Sequence, residues 1–181
     1  MPLMNKDEMM TYLEEINKRL EEVHLNGEII MAGGAVVSLV HGERDATMDF
    51  DVIFTPKEEI RDIIKDIAKK YDLDDDWMNN SVEPCLTPAM NFSKFLEFSN
   101  LTVYNMDDES MLALKLVSAR PMPSHDMNDS IFFMKKLNIR SVEQALDIVE
   151  KYTDPIRLTP AVRYFTIDVF EHYSKNDVLY S

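Results

Sequence analysis

Two aspartates separated by one phenylalanine are the strongest candidates for a reactive site in this chain. Asp49 and Asp51 belong to the segment MDFDVIF (48–54), in which acidic and apolar residues alternate before the run becomes wholly apolar. Because side chains alternate along a strand, Asp49 and Asp51 are predicted to face one side and Phe50 the other. Two such carboxylates repel each other and lose hydration, and a divalent cation relieves both penalties. The spacing therefore predicts a site for Mg²⁺ (or Mn²⁺), which binds carboxylates together with substrate phosphates.

A glycine pair precedes the aspartates, between a predicted strand and a predicted helix. The chain has only four glycines, all between positions 27 and 42, and two of them are Gly33 and Gly34. Without side chains, these residues would let a phosphate approach the backbone, where the first turn of a helix offers unpaired N–H groups. We therefore expect a triphosphate to bridge the glycine pair and a metal held by Asp49 and Asp51.

The combination of the two features is more specific than either one. Residues 31–54, MAGGAVVSLVHGERDATMDFDVIF, resemble the signature of the nucleotidyltransferase superfamily: a glycine pair, a short helix and a loop, then an acidic–apolar–acidic strand. Arg44 and Thr47 match the Arg-x-x-Thr that leads into the acidic pair in related bacterial domains. The resemblance implies that Arg44 and Thr47 bind the nucleotide together with Gly33 and Gly34.

A second segment extends the resemblance. Residues 109–139 resemble part of the bacterial nucleotidyltransferase-like toxins and their relatives, in which one helix carries Lys and Arg and the next carries paired Asp. The matching residues are Lys115, Arg120, Asp126 and Asp129. The resemblance implies a catalytic, phosphate-binding Lys115, supported by Arg120, and additional site residues at Asp126 and Asp129. From the residues alone, Lys115 could equally be a lysine at a helix edge with its stem on apolar surface, and Asp126 a first-turn residue favoured by the helix dipole.

The chain departs from the superfamily at a third carboxylate, which full nucleotidyltransferases commonly carry on a later strand. The strand LTVY (101–104) has no acidic residue, and Glu97 in the preceding predicted strand is the nearest candidate for a third metal ligand. If Glu97 faces away, two ligands remain. The chain would then be a weak enzyme or an inactive relative, or another residue such as Asp126 would complete the site.

Periodicity and turn residues predict the elements that position these groups. Apolar residues at spacings of three and four predict a first helix, capped by Asn5 and Glu8 and stopped at Gly27. The element order predicts an α/β (α+β) fold, with a nucleotidyltransferase-like mixed sheet and flanking helices in residues 1–106. A helical C-terminal half, residues 107–181, is expected to pack on this core or to share one domain with it.

Composition limits the class of protein. The net charge of −14, from 33 acidic and 19 basic residues, disfavours broad nucleic-acid binding, which needs a basic surface to displace counterions. No apolar run approaches the roughly 20 residues that span a bilayer, and the N-terminus lacks a signal peptide's apolar centre. A cytoplasmic protein without membrane segments is therefore expected. The acidic segment 71–91 is predicted to be an irregular surface connection, in which Trp77 packs rather than stacks on a base.

These features predict a metal-dependent nucleotidyltransferase that transfers a nucleoside monophosphate from an NTP to a hydroxyl. The acceptor is left open between a protein side chain, a tRNA end and a small molecule. The toxin resemblance implies a toxin–antitoxin or phage-defence component with an antitoxin partner. One alternative is a nucleotide-binding or interaction module without catalysis on the same fold. Another is a glycosyltransferase, whose DxD binds a metal and a nucleotide sugar, although the upstream glycine pair and the modest length argue against it.

Overall fold

A five-stranded mixed sheet and seven α-helices are the main elements of the computed structural model, which describes residues 3–48, 50–119 and 125–178. The strands are β1 (Met4–Asn5), β2 (Gly27–Met31), β3 (Ala46–Thr47), β4 (Phe50–Thr55), β5 (Met78–Asn79), β6 (Phe92–Glu97) and β7 (Leu101–Met106). The helices are α1 (Lys6–Glu22), α2 (Gly33–Ala35), α3 (Lys57–Tyr71), α4 (Asp108–Val117), α5 (Asp126–Lys136), α6 (Val142–Tyr152) and α7 (Pro160–Val178). The predicted α/β fold class is confirmed.

The chain separates into two compact units, and one short segment within the first part of the chain belongs to the second unit. The first unit comprises residues 1–84 and 92–106, and the second comprises residues 85–91 and 107–181. The segment 85–91 thus joins the helical unit although it precedes the last two strands of the sheet. A domain boundary after residue 106 stays a prediction, because compactness alone does not establish that either part folds independently.

The sheet of the first unit has the strand order β5-β4-β2-β7-β6. β2 pairs antiparallel with β4 and parallel with β7, while β5 runs parallel to β4 and β6 antiparallel to β7. The strand before the glycine pair and the strand that carries Asp51 are therefore neighbours in one sheet, and β4 is an interior strand. A separate two-stranded ladder joins β1 to β3.

One face of this sheet is buried and the other is partly exposed. Strand alternation sends every second side chain to the buried face, and the residues found there are Ile29, Met31, Val52, Phe54 and Val103. Alternate residues on the opposite face, among them Ile30, Asp51 and Tyr104, are half-buried. Asp51 therefore lies on the more accessible face of the sheet.

The first helix follows its sequence signals at its start but not at its end. Asn5 accepts from the Glu8 N–H at 3.0 Å, and Glu8 accepts from the Asn5 N–H at 2.8 Å, which is the predicted capping box. The expectation that Gly27 stops the helix is wrong. His24, with φ 56°, follows the helix end, and Gly27 is a buried residue of β2. A Cβ on Gly27 would lie 2.8 Å from a Leu20 methyl group, so close packing explains this glycine.

The helices of the second unit are α4 to α7, and side chains cap the N-termini of two of them, α4 and α6. Asp107 accepts from the Ser110 N–H at 2.8 Å at the start of α4, and Ser141 accepts from the Gln144 N–H at 3.2 Å at the start of α6. α4 packs against each of the other three helices of this unit. It ends at Val117.

The segment 71–91 contains more ordered structure than its polar composition predicts. Trp77 is 1% exposed, its indole N–H donates to the Ile64 carbonyl at 3.1 Å, and its ring meets those of Tyr12 and Phe50 edge-on at 4.9 and 6.0 Å. The predicted packing role of Trp77 is confirmed. The expectation of an irregular surface connection is wrong around β5, because backbone pairing with β4 supplies partners that the local sequence does not.

No helix in the described parts of the chain is both long enough and apolar enough to cross a bilayer.

Replacement of Trp77 by Phe should lower the free energy of unfolding by about 1–3 kcal/mol, through a lost hydrogen bond and a small cavity. Urea unfolding followed by circular dichroism measures this change. Tyr164→Phe is the control, because Tyr164 is 74% exposed and an exposed substitution changes stability by no more than about 0.5 kcal/mol. Equal stability of the two variants would contradict the buried position of Trp77.

Candidate functional site

The Asp51 carboxylate lies against Gly33, where α2 begins. Met31 is the last residue of β2 to pair with β4, and beyond it the Ala32 N–H donates to the Asp51 carbonyl at 2.9 Å. Gly33 has φ +61°, a conformation that L side chains rarely adopt, and a Cβ there would lie 2.4 Å from Asp51 Oδ2. Only glycine satisfies both conditions at position 33. The predicted closeness of the glycine turn to Asp51 is therefore confirmed.

Arg44 and Thr47 lie against the second glycine. A Cβ on Gly34 would lie 2.2 Å from the Thr47 hydroxyl oxygen and 2.8 Å from Arg44 Nη2. The Ser38 hydroxyl donates to the Arg44 carbonyl at 2.9 Å, which ties the connecting loop to the helical turn after Gly34. Thr47 is held in β3 and is 3% exposed. Arg44 and Thr47 thus occupy the space that a side chain at position 34 would fill.

Five of the residues predicted from the sequence converge in the first unit: Gly33, Gly34, Arg44, Thr47 and Asp51. Both glycines are buried, so their missing side chains admit a guanidinium, a hydroxyl and a carboxylate from the same chain. α2 continues directly into a π-helical turn, Val36–Val40, so the glycines do open a helical segment. A cationic group and an anionic group side by side can together bind a phosphate and its counterion.

Asp49 lies outside the described residues, immediately before the first residue of β4. Phe50 is fully buried and Asp51 is half-buried, as alternation along the strand requires. A shared orientation of Asp49 and Asp51 stays a prediction. Among the described residues, which exclude Asp49, no three His, Cys, Asp or Glu side chains are grouped so that they could hold a metal ion.

A hydroxyl that the sequence analysis did not single out also reaches Asp51. Ser81 Oγ donates to Asp51 Oδ1 at 3.1 Å, and the Ser81 N–H donates to Asn79 Oδ1 at 3.0 Å. Asn79 is in turn the β5 residue paired with Asp51. The run Asn79-Asn80-Ser81 is typical of a tight turn, and its residue types carry no further signal. The pairing of β5 with β4 is what brings Ser81 to the site.

The turn after Ser81 is tied to the start of α3 by charge. Glu83 forms an ion pair with Lys57, and the Asn80 side-chain amide donates to Glu83 Oε2 at 2.8 Å. The Lys57 ammonium, followed by the Asn80 amide, holds the pKa of the Glu83 carboxyl below its ordinary value. Glu83 therefore stays ionised near neutral pH and keeps both partners.

The structure does not bring Glu97 to Asp51. Glu97 is level with Thr102, Glu28 and Thr55 on successive strands, whereas Asp51 lies four residues before Thr55. Strand rise and strand spacing then put about 13 Å along the strands and about 14 Å across them between the two carboxylates. Glu97 is exposed and pairs with Lys94 at 2.8 Å.

Lys115 pairs with both predicted aspartates inside the second unit. Its Nζ lies 2.8 Å from Asp129 Oδ2 and 3.3 Å from Asp126 Oδ1, and the three side chains are at most 9% exposed. The alternative interpretation of a lysine at the helix edge is wrong, because the ammonium is buried between α4 and α5. Contact of Lys115 with a nucleotide phosphate stays a prediction, and Arg120 lies outside the described residues.

Comparison with known proteins gives a match at the level of a family. The model of the family DUF6036, whose description is "Nucleotidyltransferase of unknown function", matches residues 7–176. The match covers both units and every candidate residue described above. Neither the comparison with curated proteins nor that with solved structures gave a match.

Gly33→Ala should destabilise the protein more than Gly42→Ala does. Both glycines have positive φ, +61° and +65°, but a Cβ on Gly42 meets nothing within 4 Å. The conformational cost, about 1–2 kcal/mol for an L residue, is therefore common to both variants. Gly33→Ala carries the added displacement of Asp51. Urea unfolding followed by Trp77 fluorescence measures the difference, and equal losses would contradict the close approach of Asp51.

Lys115→Met should lower the free energy of unfolding by about 3–5 kcal/mol, since it leaves two buried carboxylates without their cation. Lys151→Met is the matched control. Lys151 also makes an ion pair, with Glu109 at 3.0 Å, but its side chain is 59% exposed, so its loss should change stability little. Chemical unfolding followed by circular dichroism compares the two, and a small effect of Lys115→Met would contradict the buried pairing.

Proposed function

The chain belongs to this family of nucleotidyltransferases, and we propose that it transfers a nucleoside monophosphate from an NTP to a hydroxyl acceptor. The observation that carries the proposal is the convergence of Asp51, Arg44 and Thr47 on Gly33 and Gly34. In the proposed reaction the acceptor oxygen attacks the α-phosphate in line. The new P–O bond forms as the bond to the β-phosphate breaks, and pyrophosphate leaves.

We propose that Asp49 and Asp51 hold Mg²⁺ or Mn²⁺. The donor chemistry of Asp51 fits such an ion: its carboxylate lies on the accessible face of the sheet, and carboxylate oxygens are ligands that Mg²⁺ prefers. When bound, the ion would neutralise charge on the phosphoryl oxygens. The contribution of Asp51 itself is a carboxylate already positioned by β-sheet pairing and by contact with Gly33.

Arg44, Thr47 and the backbone of the glycine pair are proposed to bind the triphosphate. A chain with a net charge of −14 repels a polyanion, so a local cation at the binding site is needed. The Arg44 guanidinium meets this need, because its planar fork of cationic donors matches phosphate oxygens. The Thr47 hydroxyl adds a neutral donor within the same group of side chains.

A second candidate function is a nucleotide-binding module without catalysis. The position of Glu97, far along the sheet from Asp51 and paired with Lys94, favours it because Glu97 then supplies no third metal ligand. The two functions differ in one measurement. A binding module takes up the nucleotide without releasing pyrophosphate, whereas the enzyme releases one pyrophosphate for each nucleotide transferred.

The acceptor and the biological role are proposed from the sequence resemblance of residues 109–139 to nucleotidyltransferase-like toxins. The acceptor would be a protein side chain, a tRNA end or a small molecule in the cytoplasm, and an antitoxin would restrain the activity. Induced expression in a bacterial host tests this role. Growth arrest by the wild-type chain, absent for Asp51→Asn, supports it, and unimpaired growth at matched expression contradicts it.

Mg²⁺ or Mn²⁺ with the preferred NTP should raise the melting temperature, because a ligand that binds only the folded chain stabilises it. At a ligand concentration about one hundred times the Kd, the free energy of unfolding should rise by about 2.7 kcal/mol. Incubation with each α-labelled NTP, with and without cell extract, should transfer the label. Asp49→Asn and Asp51→Asn should each abolish the thermal response and the transfer, since each removes a metal ligand.

Glu97→Gln is the matched control for these variants. It removes one carboxylate from the same sheet, but at a position far from Asp51, so it should keep the thermal response and the label transfer. Loss of both in Glu97→Gln would mean that Glu97 takes part in the site. An undiminished response in Asp51→Asn would place the nucleotide elsewhere and contradict the proposal.

A further inference from the structure

The contact between Ser81 and Asp51 joins two segments that are far apart in the chain. Ser81 Oγ donates to Asp51 Oδ1 at 3.1 Å across a separation of 30 positions. On its other side, the Asp51 carboxylate lies against Gly33, where a Cβ would come within 2.4 Å of Oδ2. The carboxylate is therefore contacted by both segments, with the Ser81 hydroxyl at Oδ1 and Gly33 beside Oδ2.

The loop that carries Ser81 is fixed at both ends. Before it, Trp77 is buried in the core and bonded to the Ile64 carbonyl, and β5 pairs directly with β4 at Asp51. Asn79 then accepts from the Ser81 N–H, which sets the backbone of Ser81 itself. After it, Glu83 binds Lys57 and the side chain of Asn80. Although its side chain is exposed, Ser81 thus projects from a backbone with little freedom.

We propose that Ser81 is a positioning residue, whose hydroxyl sets the rotation of the Asp51 carboxylate about its last side-chain bond. This torsion has a broad, roughly two-fold preference in aspartate, so the side chain does not define it alone. Carboxylates that bind metals are themselves held by outer hydrogen bonds, and removal of such a partner typically costs 10–100-fold in metal affinity or activity. The inference rests on the proposed function, because it concerns the carboxylate that would bind the metal.

Ser81→Ala tests this role, with Ser81→Thr as the conservative variant. Mn²⁺ binding in the presence of a non-hydrolysable NTP analogue is measured by electron paramagnetic resonance, and the melting temperature without ligand is measured in parallel. Ser81→Ala should weaken Mn²⁺ binding about 10–100-fold with no change in the ligand-free melting temperature. Ser81→Thr keeps the hydroxyl and should bind Mn²⁺ nearly as the wild type does.

Ser93→Ala is the matched control, because Ser93 is also an exposed serine of the first unit and donates to Asn105, at 3.4 Å, rather than to Asp51. It should bind Mn²⁺ as the wild type does. Unchanged Mn²⁺ binding in Ser81→Ala, or a lowered ligand-free melting temperature, would overturn the positioning role. A nucleotide adduct on Ser81, seen by mass spectrometry after incubation with NTP, would identify an acceptor instead and overturn it as well. A wild-type chain that binds no Mn²⁺ with any NTP analogue would overturn the proposed function together with this inference.

Discussion

The antiparallel pairing of β2 with β4 is the constraint on which the candidate site depends. The Ala32–Asp51 hydrogen bond extends this ladder to the residue before α2, so the end of one strand and the start of a helix meet beside one carboxylate. A slip of one residue would turn Asp51 toward the buried face of the sheet, where an ionised group is costly. Gly33 is required in this register because its backbone has φ +61° and its Cβ position is taken by Asp51.

The support of the site reaches back into the hydrophobic core through the segment around Trp77. The indole is bonded to α3, its ring packs on Tyr12 and Phe50, and the next two residues form β5 beside β4. Phe50 and Asp51 are adjacent in β4 and face opposite sides of the sheet. The core therefore holds one side of this strand while the other side presents the carboxylate, and packing energy contributes to the precision of the site.

The second unit contains a different kind of charged group. Lys115, Asp126 and Asp129 are buried together, and their ion pairs join α4 to α5. Burial of charges loses hydration, and a well-packed apolar cluster of similar volume is often at least as stable. Stability alone therefore does not explain why this cluster consists of charged residues. The resemblance of this segment to nucleotidyltransferase-like toxins offers a functional reason that an apolar cluster could not satisfy.

The sequence by itself determined the fold class, the helix cap at Asn5, and the meeting of Gly33 with Asp51. These features were predictable because caps act within one helical turn, and because a strand–turn–helix–loop–strand segment is short enough to return upon itself. Tertiary structure alone decided the contact of Ser81 with Asp51, the burial of Lys115 and the separation of Glu97 from Asp51. Each of these depends on which strands or helices become neighbours. The residue types along the chain predict polarity and turns, but they do not predict which elements lie side by side.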